Sequence, residues 1–178
     1  MKSLLLLSGG LDSAVCLASI GGIELCLGVD YGQNHLIELT KAKELAEASH
    51  IEYIEMKIER LKKADDLVFA GRNLLLIALA ASVAQSRGIH QIIIGCNKSD
   101  YEMFPDCRGY FLTAASIAVS AYNCILSAPL INRTKAEVVS MAKEAGIPIG
   151  STWTCYSPIK DNPCGMCYAC TGLRLANV

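Results

Sequence analysis

The stretch Leu4 to Ser13 reads L-L-L-L-S-G-G-L-D-S, in which an apolar run of strand length leads directly into a glycine-rich turn. The apolar residues that resume at Ala14 and Val15 indicate the start of a helix. Gly9 and Gly10 lack a Cβ atom, so their backbone N–H groups can approach an anion closely. The N-terminal end of the following helix adds unpaired N–H donors and a partial positive charge. We therefore predict a phosphate-binding loop after the first strand.

Three polar side chains of this turn can also take part in phosphate binding. The alternative is that the turn is an ordinary loop between a strand and a helix. Ser8 and Ser13 supply hydroxyl groups, while Asp12 can cap the helix or hold a Mg²⁺ ion that bridges phosphates. A Gly-Gly turn with an Asp cap also occurs in ordinary strand-to-helix loops, so that interpretation stays open. The stretch contains neither G-x-x-x-x-G-K-[ST] nor G-x-G-x-x-G, which disfavours a P-loop ATPase and a dinucleotide-binding fold.

Length, charge and hydropathy restrict the class of protein. The 178 residues suit one domain with a full core, and 52% of them are hydrophobic. The apolar runs stop short of the roughly 20 residues that a membrane span requires, so we expect no membrane segment, no signal peptide and a cytoplasmic protein. The formal net charge is −1, with 16 basic and 17 acidic residues and no Lys/Arg block. This balance favours small-molecule substrates and no nucleic acid partner.

Strand and helix patterns alternate along the chain, which predicts a doubly wound, mostly parallel five-stranded α/β sheet with helices on both faces. The predicted strands are 4–7, 24–29, 51–56, 91–95 and 124–126, and the predicted helices are 14–20, 36–46, 74–84, 111–121 and 135–145. Residues 57–66 are charged and weakly periodic and are predicted to form a loop. Thr134 and Glu137 form a capping box before the last of these helices.

Three of these elements carry a more specific prediction. Strand 51–56 alternates apolar with polar residues and should be exposed on one side or lie near a sheet edge. Helix 74–84 is hydrophobic nearly all round, which indicates a buried helix, and strand 91–95 should be central in the sheet. Ligands of such sheets bind beyond the carboxyl ends of the strands, so segments 8–13, 30–33 and 96–108 are the candidate functional segments.

Four of the nine cysteines lie close together near the end of the chain, in the pattern C-x8-C-x2-C-x2-C formed by Cys155, Cys164, Cys167 and Cys170. Four thiolates at tetrahedral geometry make a closed structural Zn²⁺ site, which is the favoured interpretation. An iron–sulfur cluster can use similar ligands and is the alternative. A disulfide framework is not expected in a cytoplasmic chain. We predict one structural Zn²⁺ and a boundary between a domain at 1–150 and a zinc-binding segment at 151–178.

Several longer motifs occur in a fixed order along nearly the whole chain. They are L-L-S-G-G-L-D-S at 6–13, V-D-Y-G-Q at 29–33, G-R-N at 71–73, I-G-C-N-K-S-D-Y-E-M-F-P-D-C-R at 94–108, P-L-I-N-R-T-K-A-E-V-V at 129–139, T-W-T-C-Y at 152–156 and P-C-G-M-C-Y-A-C at 163–170. In these motifs the chain resembles the 7-cyano-7-deazaguanine synthase family of the ATP-pyrophosphatase (PP-loop) superfamily. The resemblance implies a Rossmann-like PP-loop fold with a small zinc-binding appendage.

Enzymes of the family that this chain resembles convert 7-carboxy-7-deazaguanine, ammonia and ATP into 7-cyano-7-deazaguanine, a precursor of queuosine and related deazapurines. The implied chemistry uses ATP with Mg²⁺ to adenylate the carboxylate, so that AMP becomes the leaving group when ammonia attacks. A second adenylation on the amide oxygen then permits elimination to the nitrile. Preorganised N–H donors and Mg²⁺ would stabilise the charge that develops in both activations.

The resemblance also assigns roles to individual residues. Asp12, Ser13 and Arg72 are expected to act in catalysis. The expected ATP contacts are Leu7, Ser8, Gly9, Gly10, Leu11, Asp12, Ser13, Val29, Asp30, Tyr31 and Gly95. The expected substrate contacts are Asp100, Tyr101, Asp106, Cys107 and Arg108. Arg72 could contact phosphate or form an ion pair at a helix start, and Lys135 could reach a phosphate or decorate a helix surface.

The chain departs from the family pattern in three places, and other functions stay open. The segment between Met56 and Gly71 looks short, Ala70 stands where a proline is common, and the C-terminal helix looks curtailed. Because of these departures, the ordering of the loop near ATP is in doubt, and so is any homodimer contact through the C-terminal tail. The alternatives are a related PP-loop enzyme that adenylates a tRNA base or a protein terminus, and a catalytically silent nucleotide-binding partner protein.

Overall fold

The computed structural model describes residues 1–33, 36–59, 70–160 and 162–176, and these form one parallel sheet with helices on both faces. The five strands of the described residues are β1 (Ser3–Leu6), β2 (Ile23–Asp30), β3 (Glu52–Lys57), β4 (Gln91–Ile93) and β5 (Ile125–Ser127). The helices are α1 (Leu11–Ser19), α2 (Ile37–Ala48), α3 (Arg72–Arg87), α4 (Gly109–Ser120), α5 (Lys135–Glu144) and α6 (Tyr168–Leu175). Short 3₁₀ helices span Lys98–Tyr101, Pro105–Cys107 and Ile149–Ser151.

The strand order is β3-β2-β1-β4-β5, and every neighbouring pair is parallel. The chain therefore adds strands to one side of β1 and then crosses to the other side with β4. This reversal of strand order lies between β1 and β4, and such a reversal opens a crevice at the carboxyl ends of the two strands. The predicted α/β fold class is confirmed.

Two apolar layers cover the sheet, because successive side chains of a strand point to opposite faces. Leu4 and Leu6 of β1 pack with helices α3 and α4, whereas Leu5 and Leu7 pack on the opposite face with α1, α2 and α5. All four of these leucines are at least 93% buried, with Leu6 the most exposed at 7%. The run of four leucines is continuous because the central strand has no solvent face.

Strand β3 lies at the sheet edge, as its alternating pattern predicted. Strand β4 is an interior strand paired on both sides, but the central position belongs to β1. Helix α3 is not buried all round, because Leu74 is 54% exposed. That prediction was wrong because α3 lies beside α4 on one face of the sheet, so its outer side faces solvent. This outer side is apolar, and many residues of the helix are small.

The starts of helices α5 and α1 can be explained by the residues at each start. Thr134 and Glu137 form the predicted capping box: the Thr134 side chain accepts from the Glu137 N–H, and the Glu137 side chain accepts from the Thr134 N–H. Helix α1 begins at Leu11, three residues before the predicted start. The apolar pattern missed the first turn because that turn contains the polar residues Asp12 and Ser13. Of the predicted loop at 57–66, residues 60–66 lie outside the described residues. Within the described part of the chain, no helix combines the length and hydropathy needed to cross a bilayer.

Candidate active site

The loop after β1 is shaped by a close approach to helix α2. Gly9 has a φ of +80°, and a Cβ atom at this position would lie 1.9 Å from the backbone oxygen of Glu38. Only glycine fits both the left-handed backbone and this contact. Gly95, at the end of β4, is also restricted, since its Cβ would lie 3.0 Å from the backbone nitrogen of Ser13. Glycines therefore bring β1, α1, α2 and the end of β4 together.

Among the described residues, no side chain caps the N-terminus of α1. Gly10 is the N-cap residue, and Asp12 lies within the first turn, so the alternative in which Asp12 caps the helix is wrong. The Ser13 hydroxyl donates to the Gly10 carbonyl at 2.9 Å, and the Ser8 and Ser13 hydroxyl oxygens are 3.3 Å apart. The first N–H groups of a helix have no intrahelical acceptor, so those of α1 are available to a ligand.

Asp12 forms an ion pair with Lys135, which is 123 positions away in the sequence. The Lys135 ammonium lies 2.8 Å and 3.1 Å from the two carboxylate oxygens, and the Asn97 side-chain amide donates to one of them at 3.2 Å. The Lys135 and Asp12 side chains are 16% and 21% exposed. Lys135 thus contacts the first turn of α1, and its role in binding a phosphate stays a prediction.

A cavity of about 500 Å³ lies at this edge of the sheet. The residues assigned from the resemblance that line it are Leu7, Ser8, Gly10, Leu11, Asp12, Ser13, Val29, Tyr31, Arg72, Gly95, Asp100 and Cys107. The assigned residues that are not among its lining are Gly9, Asp30, Tyr101, Asp106 and Arg108. The structure therefore brings the three candidate segments together, and the roles of their individual residues stay predictions.

Asp30 and three residues of the 96–108 segment make bonds that hold loops in place. The Asp30 carboxylate accepts from the Gly32 N–H at 2.9 Å. The Tyr101 hydroxyl donates to the Ile131 carbonyl at 2.7 Å, and the Arg108 Nε donates to the Tyr101 carbonyl at 2.8 Å. The Asp106 carboxylate accepts from the Asn73 backbone N–H at 2.8 Å, in the first turn of α3. All four side chains bond to backbone groups, and none of the four lines the cavity.

Asp100 differs from Asp106 because it lines the cavity. Its carboxylate accepts from the Asn97 backbone N–H at 3.2 Å within a capping box. Burial, and after it the negative charge of Asp12, raise the pKa of Asp100 to about 6, although Lys135 and the Asn97 N–H act in the opposite direction. This carboxyl group also lies within the electrostatic reach of Arg72, so both Lys135 and Arg72 act on it.

Aromatic rings surround Arg72 at the other end of the cavity. The guanidinium carbon of Arg72 lies 5.8 Å from the centre of the Phe104 ring. Tyr156 and Tyr168 make edge-to-face contacts with Phe104, at centroid distances of 6.4 Å and 6.3 Å. Tyr31 is hydrogen-bonded to Arg72, and burial raises the pKa of the Tyr31 and Tyr156 hydroxyls, so both are neutral phenols.

Sequence reasoning gave no role to several residues that line this cavity. They include Glu38, Asn73, Phe104, Trp153, Tyr156 and Tyr168. All of them except Glu38 lie within motifs quoted above, but none matches a spacing that defines a chemical site. Asn73 donates through its side-chain amide to the Cys107 sulfur at 3.3 Å and to the Asp106 carbonyl at 3.1 Å. Such contacts depend on the tertiary fold.

The four cysteines of the C-terminal segment form one cluster, with all sulfur atoms within 4.8 Å of one another. The Cys155 and Cys167 sulfurs are 4.0 Å apart. Tetrahedral coordination at the usual Zn–S distance places sulfurs about 3.8 Å apart, so the cluster fits one ion. Backbone N–H bonds from Met166 and Cys167 lower the pKa of Cys164 to about 6, which favours the thiolate that a metal requires.

The cysteine segment contacts both ends of the cavity. The Trp153 backbone N–H donates to the Gly9 carbonyl at 2.9 Å, and its indole N–H donates to the Cys155 carbonyl at 2.9 Å. The Tyr168 hydroxyl donates to the Ser99 carbonyl. A metal held by the cysteines would therefore stabilise the loop after β1 and the aromatic end of the cavity together.

The family model described as Queuosine biosynthesis protein QueC matches residues 2–69 and 63–176. The chain belongs to this family. A 7-cyano-7-deazaguanine synthase of Leptospira biflexa is 32% identical, with 94% of this chain and 86% of the relative covered. A 7-cyano-7-deazaguanine synthase of Anaeromyxobacter dehalogenans is 34% identical, with 96% and 88% covered. The family inferred from the motifs is confirmed.

Solved structures show the same fold at lower sequence identity. The NMN synthetase of Francisella tularensis superposes with a TM-score of 0.63 at 22% identity, over 92% of this chain and 70% of that one. The U34-tRNA thiolase of Methanococcus maripaludis, solved with its [4Fe-4S] cluster, has a TM-score of 0.63 at 15% identity, over 99% and 64%. These similarities support the fold of the chain.

Proposed function

We propose that this chain is an ATP-dependent carbon–nitrogen ligase that converts 7-carboxy-7-deazaguanine and ammonia into 7-cyano-7-deazaguanine. The observation that carries the proposal is one cavity that joins the uncapped N-terminus of α1 and the Asp12–Lys135 pair to Asp100 and an aromatic cluster. A phosphate-binding end and a ring-binding end within one cavity suit the adenylation of a flat acid. Family membership and the names of the relatives support the same activity.

The proposed reaction consists of two adenylations in the same cavity. The carboxylate oxygen attacks the α-phosphorus of ATP, the bond to pyrophosphate breaks, and an acyl adenylate forms. Ammonia attacks the acyl carbon, and AMP leaves with that oxygen while a proton is released, which gives the amide. The amide oxygen then attacks a second ATP, pyrophosphate leaves, and loss of AMP and of the remaining N–H protons gives the nitrile.

The phosphate end is proposed to act through groups that are already in place. The free N–H groups of α1 and the Lys135 ammonium would bind the phosphates and stabilise charge on the leaving pyrophosphate. Asp12 keeps Lys135 oriented, and its carboxylate is an oxygen ligand of the kind that Mg²⁺ accepts. When bound, Mg²⁺ supplies further neutralisation of the phosphate charge.

Asp100 is the carboxylate proposed to pair with the guanine-like amino and ring N–H groups of the substrate. Asp100 lines the cavity, whereas Asp106 bonds to the start of α3, so Asp100 is the better candidate of the two. The rings of Phe104, Tyr156 and Tyr168 supply apolar surface against which a flat deazapurine can pack.

The cysteine cluster is proposed to hold one structural Zn²⁺. Four sulfur donors at this separation fit a closed tetrahedral site. Residues 151–178 then form a metal-holding segment on a catalytic domain of residues 1–150. Metal analysis that finds one zinc per chain supports this proposal, and iron, or a folded chain without metal, contradicts it.

We also propose a cytoplasmic homodimer that binds no nucleic acid. The dimer is supported by an apolar groove between α3 and α4, beside which Leu74, Ile117 and Tyr122 are 54%, 69% and 59% exposed. Helix α4 contains no charged residue, and a twofold interface brings a surface against its own copy, which an uncharged surface permits. Ile117→Lys is expected to convert a dimer into a monomer in sedimentation experiments, and a wild-type monomer contradicts the proposal.

The reaction itself is tested by incubating the chain with ATP, Mg²⁺, ammonium and 7-carboxy-7-deazaguanine and following the products by mass spectrometry. We expect the amide and then the nitrile. Formation of neither, with AMP transferred to another acceptor, would favour a related PP-loop enzyme. No ATP turnover at all, with ATP still bound, would favour a silent nucleotide-binding protein.

A further inference from the structure

We infer that Arg72 binds the carboxylate of the acid substrate and thereby makes the first adenylation, but not the second, dependent on its charge. This inference rests on the proposed function. Arg72 is the first residue of α3, and its guanidinium lines the cavity against the Phe104 ring and the Tyr31 hydroxyl.

The charge of Arg72 has no carboxylate partner among the described residues, although seven other Lys or Arg side chains there do. Lys135, the other cation of the cavity, is paired with Asp12 at 2.8 Å. The Arg72 Nε is buried and has no hydrogen-bond acceptor in the described part of the chain. Because the Nε atom is withdrawn from water without an acceptor, an anionic ligand that supplies one is favoured.

The neighbours of Arg72 keep it charged. Burial acts to lower its pKa, but Tyr31, Tyr156 and Glu38 outweigh that effect and raise it. A positive charge is therefore held beside aromatic surface, and a carboxylate can accept parallel N–H bonds from a guanidinium fork.

Two features favour the carboxylate of the acid over the phosphates of ATP. The phosphate end already has its own donors, in the uncapped α1 terminus and Lys135. Arg72 instead lies with Phe104, which Tyr156 and Tyr168 contact edge to face, where a flat ring system can pack. An aromatic acid matches both the rings and the cation of this end.

The two-step reaction offers an internal control, because the amide that enters the second adenylation carries no negative charge. An arginine that binds the carboxylate contributes to the first step only. An arginine that binds ATP phosphates contributes equally to both steps. The ratio of the two specificity constants therefore separates these roles within one variant.

The experiment measures kcat/KM for the acid and, separately, for the amide, at saturating ATP and ammonium, in Arg72→Gln and Arg72→Lys. Arg72→Gln is expected to lose about 100-fold on the acid and less than about 5-fold on the amide, the size expected for one lost charge-assisted pair. Arg72→Lys should recover part of the loss on the acid. The control is Arg87→Gln, at the exposed end of the same helix, where Arg87 pairs with Glu52.

The outcomes separate the inference from the proposed function. Wild-type protein that converts neither substrate contradicts the proposed function. If wild-type protein converts both, equal losses in Arg72→Gln, or no loss, overturn the inference alone. Calorimetric titration without ATP gives a second readout: the variant should lose affinity for the acid and keep its affinity for the amide. If Arg72→Gln does not fold, Arg72→Met decides, because it also removes the charge, and an unchanged acid-to-amide ratio in that variant also overturns the inference.

Discussion

The two ends of the cavity are built in different ways. The phosphate end consists mainly of one continuous segment, residues 8–13, whose glycines and helix N-terminus supply backbone donors. The ring end is assembled from side chains of distant segments, including Arg72, Phe104, Tyr156 and Tyr168. A site formed by backbone groups depends on local chain geometry. A site formed by side chains from distant segments depends on the tertiary fold and, in this molecule, on the cysteine segment. The substitutions below test this difference, from the largest expected effect to the smallest.

Asp12→Ala is expected to have the largest effect, a loss of AMP formation of about 1,000-fold or more, because it removes the carboxylate that orients Lys135. Both adenylations should be lost equally, in contrast to a change at Arg72. Pyrophosphate release with the acid and with the amide measures this. Thermal unfolding close to that of the wild type is the control for folding, and full turnover in the variant would remove Asp12 from the mechanism.

Asp100→Asn and Asp106→Ala form a matched pair within one loop. Asp100→Asn is expected to raise the KM for the acid and for the amide by about 10- to 100-fold, because the carboxylate that pairs with the ring N–H groups is lost. Asp106→Ala should leave both KM values nearly unchanged but lower the free energy of unfolding by about 1 kcal/mol, because it removes a bond in the first turn of α3. The reverse pattern would exchange the two roles.

Metal removal is expected to weaken the ring end more than the phosphate end. A chelator, or Cys167→Ser, should release Tyr156 and Tyr168, whereas the loop after β1 is also held by β1, α1 and α2. Affinity for the acid should therefore fall more than affinity for ATP. Trp153, the one tryptophan of the sequence, is 9% exposed and should report the change as a red shift of its fluorescence. Cys124→Ser, outside the cluster, is the control.

The pH dependence of stability tests the environment of Asp100. Because the pKa of Asp100 is raised to about 6 in the folded protein, the folded state binds more protons than the unfolded state, and stability falls as pH rises from about 4 to 6. Asp100→Asn removes this loss while keeping an acceptor for the Asn97 N–H. The variant should exceed the wild type by roughly 1–3 kcal/mol above pH 6.5, and the difference should shrink toward pH 4. A difference that does not vary with pH would contradict the assignment.

The sequence predicted the parts of the molecule that depend on local patterns. The alternation of elements, the edge position of β3, the capping box at Thr134 and the family all followed from residues close together in the chain. It did not predict the Asp12–Lys135 pair, which joins positions 123 residues apart, or the aromatic cluster around Phe104. Local periodicity also predicted more burial for α3 than the structure shows, because a sequence pattern cannot show which side of a helix has no neighbouring element. Contacts of this kind exist only after the sheet has formed.

Isotope transfer tests most directly that one cavity adenylates first the acid and then the amide. The acid is supplied with both carboxylate oxygens as ¹⁸O, and the AMP and the nitrile are analysed by mass spectrometry. We expect two AMP molecules per nitrile, each with one ¹⁸O atom, because each carboxylate oxygen leaves on phosphorus. Unlabelled AMP, or label that goes to water while the nitrile still forms, would contradict this mechanism.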